Sequence, residues 1–149
     1  MPGKLSNKHP QSTYIQQEYL NKQLTEIRIA STFLKIFSIK EITEKFIQAS
    51  LSNEYALPHL YLQLAEGLLN NSEVTSALEL CVKLEELLKQ NPQIARTLPM
   101  DRFYYTYAIV LSHLNNSKKY SAIYSHLLKN YNNSPMTQLL KRRVEWEKR

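Results

Sequence analysis

Apolar residues recur every three or four positions through most of this chain of 149 residues, which is the period of amphipathic α-helices. The first such stripe lies between Ser12 and Phe37 and predicts one long helix. Its apolar members are Ile15, Tyr19, Leu20, Leu24, Ile27, Ala30, Phe33, Leu34 and Phe37. Ser38 and Glu41 follow at the spacing of a capping box, which predicts that a second helix begins there and continues to Ala49.

Further stripes predict five more helices, joined by short connections that are rich in Asn, Ser and Pro. We expect the third helix to begin near Pro58, because a proline in the first turn removes an N–H that has no helical partner. Asp101 is the predicted N-cap of the fifth helix, and one helical turn is expected at 93–96. No segment alternates with a sustained period of two, so the predicted fold class is all-α with about seven helices.

One connection occurs twice in nearly the same letters. Leu-Asn-Asn-Ser at 69–72, followed by Ser-Ala at 76–77, returns 45 positions later at 114–117 and 121–122. Both copies lie between stretches with helical period, and Asn and Ser side chains favour turns and N-caps over helix interiors. We therefore predict one helix-turn-helix unit used twice, within a right-handed stack of antiparallel helical hairpins.

Residues of the two predicted hairpins match positions of a known helical repeat. They are Tyr61, Leu64, Ala65, Leu68, Ala77 and Leu84 in the first, and Tyr107, Val110, Leu111, Leu114, Tyr120, Ile123, Leu127 and Pro135 in the second. Over about residues 55–135 the chain thus resembles the tetratricopeptide (TPR) family, which implies an α-solenoid. The two registers differ by one residue, Leu111 stands where the family has a glycine, and the family repeat is about 34 residues. A period near 45 is also similar to HEAT-like pairs, and pentatricopeptide hairpins share the pattern.

Composition indicates a globular protein of the cell interior. Hydrophobic residues make up 43% of the chain, so we expect a flexible tail at 1–11 and a single helical-repeat domain at 12–149. The single cysteine, Cys81, excludes an internal disulfide, and its position on a predicted apolar face fits a buried thiol in a reducing compartment. No apolar leader and no run of about 18 apolar residues occurs, so we predict an intracellular protein, cytoplasmic or nuclear, that is neither secreted nor membrane-spanning.

The formal net charge of +6 lies entirely in the last third of the chain. Residues 1–100 carry 10 Lys/Arg and 10 Asp/Glu, whereas residues 101–149 carry 9 Lys/Arg and 3 Asp/Glu. Such asymmetry is typical of a surface that meets an acidic protein or a nucleic-acid backbone, although a solvated face explains it equally simply. The basic residues besides Arg102 are Lys118, Lys119, Lys129, Lys141, Arg142, Arg143, Lys148 and Arg149.

The chain shows no motif for catalysis. Its only glycines, Gly3 and Gly67, disfavour a glycine-rich phosphate loop. The four histidines lack ligand spacing, although His113 and His126 flank one predicted turn and could meet across the hairpin. The glutamates of the fourth helix are interpreted as a solvated face. We therefore predict that the protein is not an enzyme and has no catalytic residue, cofactor or metal.

The predicted function is a non-catalytic protein–protein interaction module, an adaptor or small subunit of a larger complex. Nucleic-acid binding through the basic C-terminal third is the alternative. The first helix of each pair is expected to form a concave face that includes Gln63, Glu66, Gly67, Tyr105, Ala108 and Ser112. Tyr104 and Tyr105 point away from the predicted core stripe, so they either pack on a neighbouring helix or contact a partner. The remaining predicted contact residues are Lys118, Lys119, Lys141, Arg142, Arg143 and Trp146, the last as an anchor or as a cap on the stack.

Overall fold

The computed structural model describes residues 18, 22, 25–49 and 56–147, which form helices and their connections without a strand. The tail predicted at 1–11 lies outside these residues. The elements are α1, helical at 25–36 and at residues 18 and 22, α2 (Ile39–Ala49), α3 (Ala56–Asn70), α4 (Val74–Gln90), a 3₁₀ helix (Pro92–Arg96), α5 (Met100–His113), α6 (Ser117–Asn130) and α7 (Pro135–Glu147). The predicted all-α class with about seven helices is confirmed.

Helix α2 begins with the predicted capping box. The Glu41 N–H donates to Ser38 Oγ at 3.1 Å, and the Ser38 N–H donates back to Glu41 Oε1 at 3.1 Å. Hydrogen bonding of the Glu41 carboxylate by the Ser38 backbone N–H, and next by the Ser38 side chain, lowers the pKa of Glu41 because it favours the charged form. The capping box thus marks the end of α1 and the start of α2, with a bend at Phe37 between them.

The predicted N-cap at Asp101 is wrong, because the N-cap of α5 is Pro99 and the helix begins at Met100. Asp101 lies inside the first turn, where a carboxylate suits the positive end of the helix dipole. Its Oδ2 accepts a hydrogen bond from Ser134 Oγ at 2.6 Å, and Ser134 Oγ in turn accepts from the Met136 N–H at 3.1 Å. Asp101 thus connects the start of α5 to the start of α7.

The turns α3–α4 and α5–α6 close with the same backbone hydrogen bonds, which confirms two equivalent helical hairpins. The offset between them is 43 residues and not the 45 of the repeated letters. Equivalent donors and acceptors are Asn71 to Gly67 and Leu114 to Val110, then Glu73 to Leu68 and Asn116 to Leu111. One residue in each turn adopts the left-handed backbone conformation. This residue is Ser72 in the first turn and Asn115 in the second. The repeated letters therefore occupy different positions in the two turns.

Ser72→Gly is expected to stabilise the protein by about 0.5 kcal/mol. The left-handed conformation costs an L-residue about 1–2 kcal/mol, and glycine avoids this cost. Part of the gain is offset because glycine loses more backbone entropy on folding. Ser72 has a φ of 65°. Asn115, with a φ of 58°, is the matched control, and Asn115→Gly should gain less because Asn tolerates this region better. Urea denaturation followed by circular dichroism measures both; an equal or larger gain at Asn115 would contradict the explanation.

The core lies between consecutive helices. Helix α3 packs on α4, α4 on α5 and α5 on α6, while α5 also contacts both α3 and α7. Fully buried side chains from these helices include Leu62, Leu68, Leu84, Phe103, Leu111, Leu127 and Leu140. Cys81 belongs to this core, as predicted, and burial raises the pKa of its thiol to about 12. Helix α5 is therefore central, with neighbours on both sides.

Helix α1 approaches α3 closely at the one glycine among the described residues. A Cβ added to Gly67 would lie 2.8 Å from Leu34 Cδ1 and 3.0 Å from the Cβ and carbonyl carbon of Ala30. Next to this contact, the Asn71 side chain accepts a hydrogen bond from Ser31 Oγ and donates to the Ser31 carbonyl at 3.2 Å. Gly67 and Asn71 thus hold α1 against the end of α3.

Candidate functional site

A buried ion cluster joins α1, α3 and α5. The Arg102 guanidinium donates from Nε to Glu66 Oε2 at 2.5 Å and from Nη2 to Glu66 Oε1 at 2.6 Å. Arg102 Nη2 also lies 2.7 Å from Glu26 Oε2. Burial alone would lower the pKa of Arg102, but the hydrogen bonds and charges of Glu66 and Glu26 outweigh it and raise that pKa. We call Glu26, Glu66 and Arg102 the triad; it places Arg102 between two carboxylates in a site with little solvent.

A polar cavity of about 280 Å³ lies beside the triad. Its lining residues are Lys22, Glu26, His59, Leu62, Gln63, Pro99 and Arg102. His59 Nε2 is hydrogen-bonded to the Thr97 carbonyl at 2.7 Å, so that nitrogen is engaged within the protein. Glu26, Arg102 and the Nε2 nitrogen of His59 thus already have partners within the fold.

An apolar cavity of about 350 Å³ adjoins it and shares Glu26 and Gln63. We call this cavity the α1–α3 cleft; besides those two residues it is lined by Ile29, Ala30, Phe33, Ile42, Leu60 and Leu64. The α1 wall is open to solvent, since Ile29 and Phe33 are 52% and 50% exposed. Ile36, three residues after Phe33, is 67% exposed. Three large apolar side chains of one helix thus lie beside an apolar opening, which is the surface typical of a binding site.

The helical period did not predict this surface. Phe33 was assigned to the core stripe of the first helix, but the buried side of α1 carries Ala30 and Ser31, with Leu34 half-buried. Ile29, Phe33 and Ile36 form a second stripe with spacings of four and three. This second apolar stripe could have indicated the exposed surface from the sequence, because a helix that packs on one neighbour needs only one apolar stripe.

The predicted concave face is only partly accessible. Gln63 is half-buried and lines both cavities. Glu66 is buried in the triad, Gly67 is buried under α1, and Ala108 has no exposed surface. Ser112 is half-buried and donates to the Ile109 carbonyl at 2.9 Å. Glu66, Gly67 and Ala108 are unsuited to contact a partner, because neighbouring helices already cover them.

The tyrosines of α5 pack inside the protein. Tyr104 is half-buried, and its ring centroid lies 4.7 Å from that of His126 and 5.1 Å from that of Phe103. Tyr105 is also half-buried. Burial is the main reason that the pKa of both hydroxyls is raised. The Tyr104 ring thus packs on His126 of α6, and Tyr105 packs against the hydrophobic core. A partner contact by either residue stays a prediction.

Two of the predicted basic contact residues are engaged in ion pairs. Lys119 Nζ donates to Glu85 Oε2 at 3.0 Å and lies 5.6 Å from the ring centroid of Tyr107. Arg143 Nε lies 3.8 Å from Glu147 Oε2. Glu85, which also accepts from the Tyr107 hydroxyl at 3.1 Å, is therefore more than part of a solvated face.

The other predicted contact residues remain on the surface. Lys118 and Arg142 are exposed and Lys141 is half-buried. Trp146, near the end of α7, is 72% exposed. Lys148 and Arg149 lie outside the described residues. The exposed charges of α6 and α7 therefore form a smaller basic surface than the count along the sequence indicates.

The two histidines of the second hairpin do not form a pair. His126 packs on Tyr104, near the start of α5, whereas His113 ends that helix nine residues later, about 13 Å along its axis. Among the residues that the structure describes, no group of three His, Cys, Asp or Glu side chains is arranged to hold a metal ion.

None of the described helices has the length and apolar character needed to cross a membrane. No protein-family model, curated protein sequence or solved structure matches the chain.

Proposed function

We propose that this chain is a non-catalytic protein–protein interaction module, an adaptor or small subunit of a larger complex, whose α1–α3 cleft receives apolar side chains of a partner. The observation that carries the proposal is the exposed row Ile29, Phe33 and Ile36 beside the cleft. On this proposal the helices form a TPR-like stack of hairpins, and α1 presents its outer stripe at one end of it.

Partner binding would remove this apolar surface from water. Burial of apolar area contributes about 25 cal/mol per Å², and an aromatic residue next to a preformed cavity is the usual anchor of an interface. Phe33 fits that role, since its ring stacks on Phe37 with centroids 6.5 Å apart and is thereby already oriented. Preorganisation of this kind lowers the entropic cost of association.

Nucleic-acid binding through the C-terminal third is the second candidate, and it rests on the exposed Lys118, Lys129 and Arg142. The ion pairs of Lys119 and Arg143 weaken it, because a paired cation adds less to phosphate binding than a free one. The α1–α3 cleft offers an apolar anchoring site in addition to charge, and protein binding is therefore favoured.

Phe33→Glu is expected to abolish capture of a protein partner, because it places a charge at the centre of the apolar row. The measurement is affinity purification of the full chain at high salt, followed by mass spectrometry, with circular dichroism to verify folding. Trp146→Glu is the matched control: it changes another exposed aromatic residue, on α7 and outside the lining of the cleft.

The partner recovered with the unaltered chain should persist with Trp146→Glu and disappear with Phe33→Glu. The opposite pattern would move the interface to α7. Recovery of RNA or DNA whose binding falls steeply with salt, and which Lys141→Glu/Arg142→Glu/Arg143→Glu eliminates, would establish the second candidate instead.

A further inference from the structure

We propose that the segment bound in the α1–α3 cleft is an acidic amphipathic helix of the partner, an inference that rests on the proposed function. Ile29, Phe33 and Ile36, with spacings of four and three, form a row that matches the apolar stripe of a second helix. The charged side chains beside that row determine whether an acidic or a basic helix is preferred.

Basic side chains flank the row on α1. Arg28 and Lys35 are exposed and lie one position before Ile29 and Ile36. They are seven residues apart, so they lie on the same side of α1, about 10 Å from each other. Lys22, exposed two turns before Ile29, adds a third cation at the polar end of the cleft. A helix docked along the row would meet these cations with the polar residues next to its own apolar stripe.

The acidic group of the cleft, Glu26, shares the single positive charge of Arg102 with Glu66, so the triad keeps one net negative charge. Glu26 lines the cleft, but its Oε2 lies 2.7 Å from Arg102 Nη2. The described exposed charges of α1 are therefore Lys22, Arg28 and Lys35 against Glu18. On α2, Lys40 and Lys45 balance Glu41 and Glu44. The three cations of α1 therefore outnumber Glu18 and the one net negative charge of the triad.

Two synthetic peptides of about 18 residues test the inference by fluorescence anisotropy with the full chain. Both carry leucines at helical spacings of four and three; one has Glu and the other Lys at the positions that flank them. The acidic peptide is expected to bind about tenfold more tightly at about 50 mM NaCl, and the difference should shrink at about 300 mM. In Arg28→Glu/Lys35→Glu the preference should reverse, whereas Lys83→Glu/Lys89→Glu, an equal charge change on exposed residues of α4, should retain it.

Three results would overturn the inference, and they are distinguishable. Equal or tighter binding of the basic peptide, abolished by Phe33→Glu, would refute the acidic partner and leave the cleft as a docking site. A preference for the acidic peptide that survives Arg28→Glu/Lys35→Glu would place the recognising charges elsewhere. Failure of both peptides to bind would refute the helix-binding cleft itself, and the proposed function would lose its main support.

Discussion

Replacing Arg102 with Met should lower the free energy of unfolding by about 3–5 kcal/mol, the cost typical of removing one member of a buried ion pair. Glu66 is only 3% exposed and receives both parallel hydrogen bonds of the guanidinium. Without Arg102, the Glu66 carboxylate either remains charged in a dry site or binds a proton, and both alternatives cost free energy. Urea denaturation near neutral pH measures the loss.

The matched control is Glu26→Gln, which removes the other carboxylate of the triad. The Glu26 side chain is 28% exposed, against 2% for Glu66, so water replaces part of its interaction and the expected loss is about 1 kcal/mol. The double variant Glu66→Met/Arg102→Met should regain much of the stability lost by Arg102→Met alone, because apolar side chains of similar volume then fill the site. A double variant as unstable as the single one would show that the triad acts through packing and not through its charges.

The features that could be predicted from the sequence are those formed by residues close together along the chain. The capping box of Ser38 and Glu41 formed because both partners lie within one helical turn. The number of helices and the burial of Cys81 followed from periodicity for the same local reason. The triad joins residues 36 and 76 positions apart, Glu66 and Glu26 to Arg102, and no pattern along the chain marks such a pair. Glu66 was consequently predicted at the surface.

The repeated letters located the two turns but not their register. In the second turn, Asn116 Oδ1 accepts from the Lys119 N–H at 3.3 Å and thus caps α6. The position equivalent to Asn116 in the first turn is Glu73, whose side chain makes no capping bond. The left-handed residue and the closing hydrogen bonds define the structural repeat, so the true offset could be found only from the backbone.

The distribution of charge along the sequence also differs from the distribution on the folded surface. The last third appeared basic and the first 100 residues neutral, but Arg102 and Lys119 of the last third pair with Glu26, Glu66 and Glu85 of the earlier part. Some carboxylates of the first 100 residues are therefore engaged in ion pairs. Among its described exposed side chains, α1 has more basic than acidic residues. The proposed partner surface lies on α1 because the exposed apolar row Ile29, Phe33 and Ile36 lies there, and the ion pairs of Lys119 and Arg143 weaken the C-terminal alternative.

Gly67→Leu should separate α1 from α3 and lower the free energy of unfolding by about 3 kcal/mol, at the upper end of the cost of overpacking. Gly67→Ala is the graded control: Leu34 Cδ1 can rotate away from the new Cβ, but the Ala30 backbone at 3.0 Å cannot. Its gain in helix propensity of about 1 kcal/mol should therefore be largely cancelled.

Hydrogen exchange distinguishes separation of α1 from general unfolding. In Gly67→Leu, exchange should accelerate throughout residues 25–36, while the α5–α6 hairpin, which packs away from Gly67, retains its protection. Because Ile29, Ala30 and Phe33 form one wall of the cleft, the same variant should also weaken binding of the acidic peptide. If α1 kept its protection in Gly67→Leu, the close approach at Gly67 would not be what positions this wall, and the hydrogen bonds of Asn71 to Ser31, together with the Glu26–Arg102 pair, would have to hold α1 in place.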